Sequence, residues 1–347
     1  MPASTYRVRV AGSEHVFDCA ATDTVLRAAQ RAGLPFPYEC NVGSCANCKF
    51  ELVEGEVAMR WPQAPAWTER DRQRKRYLGC QAEPRADCTI KLRLDERYAP
   101  PHRPRHVAAV LQARRNLTHD LHEFSFRLDA ALRFEPGQYA LAYLPGVAGA
   151  RAWSMSNVVD DAGDADARTW QFVVRRVPGG SGSAALFDAL PIGARIELDG
   201  PYGMAWLRRD APRDIVCIAG GSGLAPMLSI ARAALAEPLL AGRALHFHYG
   251  ARTPADVCGE DLLRALPGAA ERLHYVCAVS TPPAAEAGTS WTGPVGFVHD
   301  EVRRVLAPRL AGMEIYFAGP PPMATAVQRM LLDAGVPAAQ THFDAFY

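Results

Sequence analysis

Residues 40–48 read CNVGSCANC, and this stretch decides the fold of the first part of the chain. Its cysteines have the spacing C-x4-C-x2-C, and a fourth cysteine follows in the later segment LGCQ; the four are Cys40, Cys45, Cys48 and Cys80. This spacing is typical of thiolates that bind a [2Fe–2S] cluster, in which each iron takes two protein ligands. The small residues between the cysteines allow backbone N–H groups to approach the sulfur atoms. We therefore predict that these four cysteines hold a [2Fe–2S] cluster.

A zinc site is the alternative interpretation of the four cysteines. Structural zinc sites usually combine two C-x2–4-C pairs, and only one such pair is present here. Cys19 and Cys88 match no ligand position, so we expect them to be packing residues. The spacing favours iron and sulfur over zinc.

The residues around the cysteines predict a small β domain with one helix. Residues 6–10 alternate apolar and basic side chains, as a half-buried strand does, and residues 49–53 form a second strand-like run. Asp23 is a suitable N-cap for a helix over 24–32 that ends at Gly33. This arrangement resembles the β-grasp fold of plant-type ferredoxins, and we place this domain at residues 1–97.

The composition excludes some classes of function. The chain has 347 residues with 38 basic and 37 acidic side chains, so its net charge of +1 gives no general case for nucleic-acid binding. No apolar run is long enough to span a bilayer, and no apolar leader is recognisable, so we expect a cytoplasmic location. The basic run of residues 70–76 is either a solvated segment or a docking patch for an acidic partner.

Two further domains are expected after a proline-rich linker at residues 98–104. The segment 104–208 holds short strand-like runs separated by turn residues, which predicts an antiparallel β-barrel. In the segment 209–347, apolar strands alternate with helix-length patterns, which predicts a Rossmann-like parallel sheet. The expected fold class is therefore multidomain, α+β and α/β.

The middle segment carries a flavin pattern. Residues 151–154 read RAWS and resemble the R-x-Y-S signature of the ferredoxin–NADP reductase superfamily, with Trp153 in place of the usual tyrosine. The resemblance implies that Arg151 contacts phosphate, that Ala152 and Trp153 contact the flavin, and that Ser154 hydrogen-bonds its N5 atom. Arg175 is a further expected cofactor contact, and the glycine-rich turn that follows it matches the family's phosphate-contacting G-x-x-S at two positions, Gly180 and Ser183. A seat for pyrophosphate favours FAD over FMN.

The last segment carries a nucleotide pattern. Residues 219–227 read AGGSGLAPM, follow a strand and open a helix, and resemble the family's G-G-x-G-x-x-P; the expected contacts are Gly221, Gly223 and Pro226. Arg252 follows the next strand, where the family binds the adenosine ribose. Arg252 either contacts a 2′-phosphate or is simply solvated. The resemblance implies NADH rather than NADPH, because oxygenase reductases with this arrangement mostly use NADH, and Arg252 has no second nearby base to clamp a 2′-phosphate.

The C-terminal part adds a third set of expected site residues. Residues 317–323 read FAGPPPM and resemble the family's C-G-P-P-P-M, with Ala318 in place of the cysteine; the expected contacts are Gly319, Pro320 and Pro321. The resemblance also implies that Phe346 or Tyr347 shields the flavin and that Asp344 assists near the hydride path.

Together the motifs resemble the NADH-dependent reductase components of bacterial multicomponent oxygenases over essentially the whole chain. The resemblance implies a monomer that passes a hydride from NADH to FAD, and then single electrons through the cluster to a terminal oxygenase acting on aromatic or other hydrocarbons. Two alternatives stay open at this point. The acceptor is another protein, such as a deoxysugar dehydratase, or the chain is a ferredoxin-type carrier with a degenerate flavin domain.

Overall fold

The computed structural model describes residues 4–159, 166–281 and 291–344. These residues form two compact units. Among the described residues, the first unit contains 4–105 and 200–202, and the second contains those between 106 and 199 and those between 203 and 344. Among the described residues, none of the helices combines the length and the apolar character needed to cross a bilayer.

The first unit is a mixed sheet covered by one helix. Strand β1 pairs antiparallel with β2 and parallel with β7, and β3 pairs antiparallel with β7 and β5, which gives the order β2-β1-β7-β3-β5. A separate pair is formed by β4 and β6. The elements are β1 (Thr5–Val10), β2 (Val16–Ala20), α1 (Val25–Arg31), β3 (Lys49–Glu54), β4 (Val57–Met59), α2 (Glu69–Gln73), β5 (Arg76–Leu78), β6 (Ala82–Pro84) and β7 (Cys88–Lys91).

Helix α1 begins at its N-cap Thr24, whose hydroxyl accepts the N–H of Arg27, and it is buried along most of its length. A hydroxyl at this position satisfies an N–H that has no partner inside the helix. The predicted helix over 24–32 is thus confirmed within one residue at each end, but the predicted N-cap Asp23 is wrong: its carboxylate accepts the N–H of Thr24 at 2.8 Å, and Thr24 caps the helix.

The second unit begins with a six-stranded antiparallel sheet in the order β11-β10-β13-β8-β9-β12. Its strands are β8 (Arg105–Asn116), β9 (Leu121–Leu128), β10 (Tyr139–Tyr143), β11 (Arg151–Ser154), β12 (Thr169–Arg175) and β13 (Arg195–Tyr202). Met155, just beyond β11, bridges antiparallel to Phe172 of β12, so the two edge strands meet and the sheet closes. An aromatic-rich interior fills the resulting barrel, with Phe126 and Trp170 fully buried.

A parallel sheet in the order β16-β15-β14-β17-β18 completes the second unit. Its elements, with the short helix α3 that follows β12, are α3 (Ser181–Ala184), β14 (Ile215–Gly220), α4 (Leu224–Ala236), β15 (Leu245–Ala251), α5 (Glu260–Arg264), α6 (Ala269–Arg272), β16 (Leu273–Val279), α7 (Val298–Leu306), β17 (Glu314–Ala318), α8 (Pro321–Asp333) and β18 (Thr341–His342). The strand order reverses at β14, and ligands of such sheets bind where it reverses, at the carboxyl ends of the strands. The predicted fold class of β-grasp domain, antiparallel barrel and parallel Rossmann-like sheet is confirmed.

Candidate functional site

The cysteine loop lies between α1 and β3, and its backbone turns toward sulfur. The Sγ atom of Cys40 accepts N–H groups from Val42 at 3.5 Å and Ser44 at 3.3 Å. Asn41 and Ala46 adopt positive φ angles of 55° and 67°, which lets the loop wrap tightly. Amides directed at sulfur stabilise a thiolate, so the loop suits a centre bound by thiolates.

The four cysteines form two pairs rather than one tetrahedron. The thiol of Cys45 donates to the sulfur of Cys40, and the thiol of Cys48 donates to the sulfur of Cys80. The bond from Cys45 and the loop amides lower the pKa of Cys40 to about 5, although burial opposes them. No three of these sulfurs, all within the described residues, lie within 4.8 Å of one another. A single zinc would bring all four to about 3.8 Å, from Zn–S bonds of about 2.3 Å. Two pairs fit a two-iron cluster.

A buried cation that sequence reasoning missed holds this loop from behind. Arg27 of α1 is only 4% exposed, and its guanidinium donates to the side-chain oxygen of Asn41 at 3.3 Å and to its carbonyl oxygen at 3.2 Å. A buried arginine is stable only when its donors are satisfied. Arg27 therefore fixes the left-handed residue next to Cys40.

The segment between β4 and α2 packs against the same loop. A Cβ atom at Gly43 would stand 3.3 Å from Ala64 and 3.4 Å from the ring of Trp61. Arg72, in the basic run, donates to the carbonyl of Pro62 at 2.9 Å and lies 4.5 Å from the ring centre of Trp67. Arg72 therefore has a structural role, because it holds the segment between β4 and α2 in place.

A first pocket in the second unit, of about 440 Å³, adjoins the predicted flavin signature. Arg151 and Trp153 line it together with the turn at residues 179–183. Arg151 donates to the hydroxyl of Ser181 at 3.1 Å, and a Cβ at Gly182 would lie 2.8 Å from the Arg151 Nε atom. Only glycine permits so close an approach, which brings the guanidinium onto the turn.

Other residues of the predicted flavin set lie beside this pocket or support it. Ala152 and Ser154 point to the opposite face of β11 from Arg151 and Trp153, as alternate residues of a strand do, and neither lines the pocket. The Ser183 hydroxyl accepts the N–H of Val177 at 3.0 Å, so it holds the turn together.

Ser154 lies away from the first pocket, in a region that also contains the predicted residue Asp344. It pairs in register with Tyr139, and a Cβ at Gly203 would lie 3.1 Å from the Tyr139 ring and 2.7 Å from the carboxylate of Asp344. Asp344 also accepts the N–H of Met204 at 3.2 Å. The structure thus brings two predicted catalytic residues, Ser154 and Asp344, into one region. Phe346 and Tyr347 lie outside the described residues.

A second pocket, of about 450 Å³, opens at the carboxyl ends of β14 and β17, where the strand order reverses. Of the predicted nucleotide residues, Gly221, Arg252 and Pro320 line it. The other predicted residues of this set, namely Gly223, Pro226, Gly319 and Pro321, are not among its lining residues.

Gly223 and Gly319 shape the pocket from behind. A Cβ at Gly223 would stand 2.0 Å from the backbone oxygen of Ala318, and one at Gly319 would stand 2.5 Å from the Cε atom of Met323. Glycine at position 223 lets the loop after β14 touch the loop after β17, and glycine at position 319 leaves room for the side chain of Met323. Pro226 is buried inside α4.

A chain of alternating charges crosses the wall of this second pocket. Asp120, in the turn between β8 and β9, accepts Arg175 Nε at 2.9 Å and Arg252 Nη2 at 3.0 Å. Arg252 also donates to Asp256 at 2.8 Å. Burial opposes ionisation of Asp120, but the hydrogen bond and charge of Arg175 outweigh it and lower the pKa of the carboxyl. Arg175 lines both pockets, so they adjoin.

Three sequence families match consecutive parts of the chain. A 2Fe-2S iron-sulfur cluster binding domain matches residues 8–85, an oxidoreductase FAD-binding domain matches residues 108–206, and an oxidoreductase NAD-binding domain matches residues 217–329. The predicted cofactor set of a [2Fe–2S] cluster, FAD and a nicotinamide nucleotide is confirmed.

Full-length comparisons agree. The ferredoxin–NAD(P)(+) reductase CarAd of Metapseudomonas resinovorans is 38% identical over 340 residues, which cover 95% of this chain and 96% of the relative. The ferredoxin–NAD(+) reductase component of the alkene monooxygenase system of Xanthobacter autotrophicus is 37% identical over 339 residues, with 95% and 97% covered. A solved structure, the ferredoxin reductase in carbazole 1,9a-dioxygenase, has a TM-score of 0.89 at 36% identity and covers 99% of both chains. This chain therefore belongs to the family of ferredoxin–NAD(P)(+) reductases that form the reductase components of oxygenase systems.

Proposed function

We propose that the chain oxidises NADH and supplies single electrons to a protein of an oxygenase system that acts on aromatic or other hydrocarbons. The observation that carries the proposal is the shared wall of the two pockets. Arg175 lines both, so a flavin in one and a nicotinamide nucleotide in the other would be neighbours. When bound, FAD supplies the step that converts a two-electron donor into one-electron transfers.

We assign the cluster ligands by pairs. Cys40 and Cys45 would hold one iron, and Cys48 and Cys80 the other, because their sulfurs are already paired in this way. The amides of Val42 and Ser44 would offset part of the negative charge of the thiolates.

We assign the seat of the FAD pyrophosphate to Arg151 and the turn at residues 179–183. Arg151 supplies a forked cation, and the glycines of the turn leave its backbone accessible to phosphate. Trp153 would pack on the flavin ring system, and Ser154 and Asp344 would contact the reacting edge, where they share a neighbourhood with Tyr139 and Gly203.

Nucleotide choice follows from the charges around Arg252. Two carboxylates already bind this guanidinium, and they would repel the 2′-phosphate of NADPH. NADH lacks that phosphate, so we expect it to be preferred.

The immediate acceptor has two candidates within an oxygenase system. One is the terminal oxygenase itself. The other is a small ferredoxin component, which the names of both full-length relatives favour, because each is called a ferredoxin–NAD reductase. We further propose that the chain acts as a cytoplasmic monomer with domains at residues 1–97, 104–208 and 209–347.

The test is anaerobic reduction of the purified holoprotein. NADH should bleach the flavin band and reduce the cluster, and metal analysis should find about two irons per chain and no stoichiometric zinc. Reduction of the oxygenase with and without its ferredoxin distinguishes the two acceptors. Failure of NADH and NADPH alike to bleach the flavin would reject the proposed function, and a faster reaction with NADPH would reject the nucleotide assignment alone.

A further inference from the structure

Asp120 reaches the nucleotide pocket from the barrel, far from the nucleotide motifs in sequence. Its position is fixed locally, because the hydroxyl of Thr118 donates to its carboxylate at 3.2 Å and its backbone oxygen accepts the N–H of Arg176 at 2.7 Å. The other carboxylate oxygen accepts both Arg175 and Arg252. One carboxylate therefore occupies both arginines that line the pocket.

The second carboxylate on Arg252 has a local task of its own. Asp256 accepts the backbone N–H of Thr253 at 3.0 Å and its hydroxyl at 2.9 Å, which caps the turn that follows Arg252. Replacing Asp256 would disturb that turn. Among the described contacts, the only hydrogen bond that joins Asp120 to the parallel-sheet part of the second unit is the one from Arg252, so Asp120 holds no turn there. Asp120 is therefore the separable part of the charge chain.

We propose that Asp120 is a selectivity residue that excludes nucleotides carrying a 2′-phosphate. Together with Asp256 it compensates the charges of Arg175 and Arg252, and its carboxylate lies in the pocket wall, where it would repel a phosphate of charge about −1.5 to −2. Without that charge, Arg252 stays anchored by Asp256, and the guanidinium groups gain free donors for phosphate oxygens. This inference rests on the proposed use of the second pocket for nicotinamide nucleotides.

The test is Asp120→Asn, which keeps the size of the side chain and removes its charge. The ratio of kcat/KM for NADPH to that for NADH should rise by about tenfold or more, because a like charge leaves the phosphate site. Binding of 2′,5′-ADP to the oxidised holoprotein, measured by calorimetry, should strengthen by a similar factor, while binding of 5′-AMP should change much less. The gain should shrink in the double variant Asp120→Asn/Arg252→Gln.

A matched control is Glu260→Gln, which removes the carboxylate of the exposed Glu260–Arg264 pair of α5, outside the pocket lining. It should leave the kcat/KM ratio of the two nucleotides and the affinity for 2′,5′-ADP unchanged. Should Asp120→Asn fail to fold, Asp120→Ser offers a second charge-free residue suited to a turn.

The outcomes separate this inference from the proposed function. An unchanged nucleotide ratio and unchanged 2′,5′-ADP affinity, in a variant that still oxidises NADH, would overturn the role of Asp120 alone. A wild-type protein that oxidises neither nucleotide would instead remove the proposed function on which the inference rests.

Discussion

Loss of the Arg151 guanidinium should release FAD. The side chain has five N–H donors, and the structure uses three of them, on the carbonyls of Ala148 and Ala150 and on the hydroxyl of Ser181. Arg151 lines the pocket with Trp153 and the glycine-rich turn, so we expect its two remaining donors to be available to a ligand there. A phosphate bound there would receive about two charge-assisted hydrogen bonds from this residue.

The size of the effect follows from those bonds. A hydrogen bond to a charged group contributes about 1.5–3 kcal/mol. Arg175 stays in the pocket wall and would offset part of the loss. We therefore expect Arg151→Ala to weaken FAD binding by about 3 kcal/mol, which corresponds to roughly a hundredfold in Kd. Arg151→Lys keeps the charge but loses the fork, so its Kd should lie in between.

The assay is titration of FAD into apoprotein, followed by quenching of flavin fluorescence, with the cluster intact as judged by its absorbance. Arg176→Ala is the matched control, because Arg176 pairs with Asp188 and lies over Phe187 instead of lining the pocket. FAD affinity of Arg151→Ala within about threefold of wild type, a change of about 0.7 kcal/mol, would refute this placement of the phosphate.

Three further perturbations test other parts of the molecule. Cys45→Ala should abolish the cluster and electron transfer to a one-electron protein acceptor while the flavin still reduces ferricyanide; a variant that keeps iron, labile sulfide and protein reduction would contradict the ligand assignment. Gly223→Ala should destabilise the parallel-sheet part of the second unit by several kcal/mol, because the new Cβ would meet a backbone oxygen at 2.0 Å. Gly242→Ala, where the added Cβ has open space, should leave the melting temperature unchanged. Equal melting temperatures of the two variants would contradict the packing argument. Burial lowers the pKa of His246 and His248 from 6.5 to about 4, so the unfolded state binds more protons and the free energy of unfolding should fall as pH drops from 6.5 towards 4. Urea unfolding at several pH values checks this, and His248→Gln should show a smaller fall than wild type.

The cluster motif could be predicted from the sequence because its chemistry is local. Three ligands lie within nine residues, and their spacing alone distinguishes a two-iron centre from most zinc sites. The support for that loop could not be predicted. Arg27 lies in the middle of a helix, where a basic residue is usually solvated, and only the folded chain shows that it is buried against Asn41.

The flavin and nucleotide motifs could be located, but not the task of each residue within them. Glycine-rich turns that follow strands predict that phosphate binds nearby, since only glycine allows the backbone to approach so closely. Whether a given glycine lines the pocket or lets two loops touch depends on the partner loop. Gly221 lines the pocket, whereas Gly223 meets Ala318, which follows it by about a hundred residues.

The charge of a pocket is harder still to predict, because it depends on pairs that are distant in sequence. In the sequence Arg252 has no second base nearby, and this is one of the two reasons to expect NADH, the other being the family resemblance. In the structure a second base, Arg175, lines the same pocket, so Arg252 does have a basic neighbour, although a distant one in sequence. We still expect NADH, because Asp120, which is 132 residues from Arg252, binds both arginines at once, and Asp256 supplies a second carboxylate to Arg252. The choice between NADH and NADPH in this pocket thus depends on which carboxylates compensate the arginines, and the number of basic residues near the motif does not predict it.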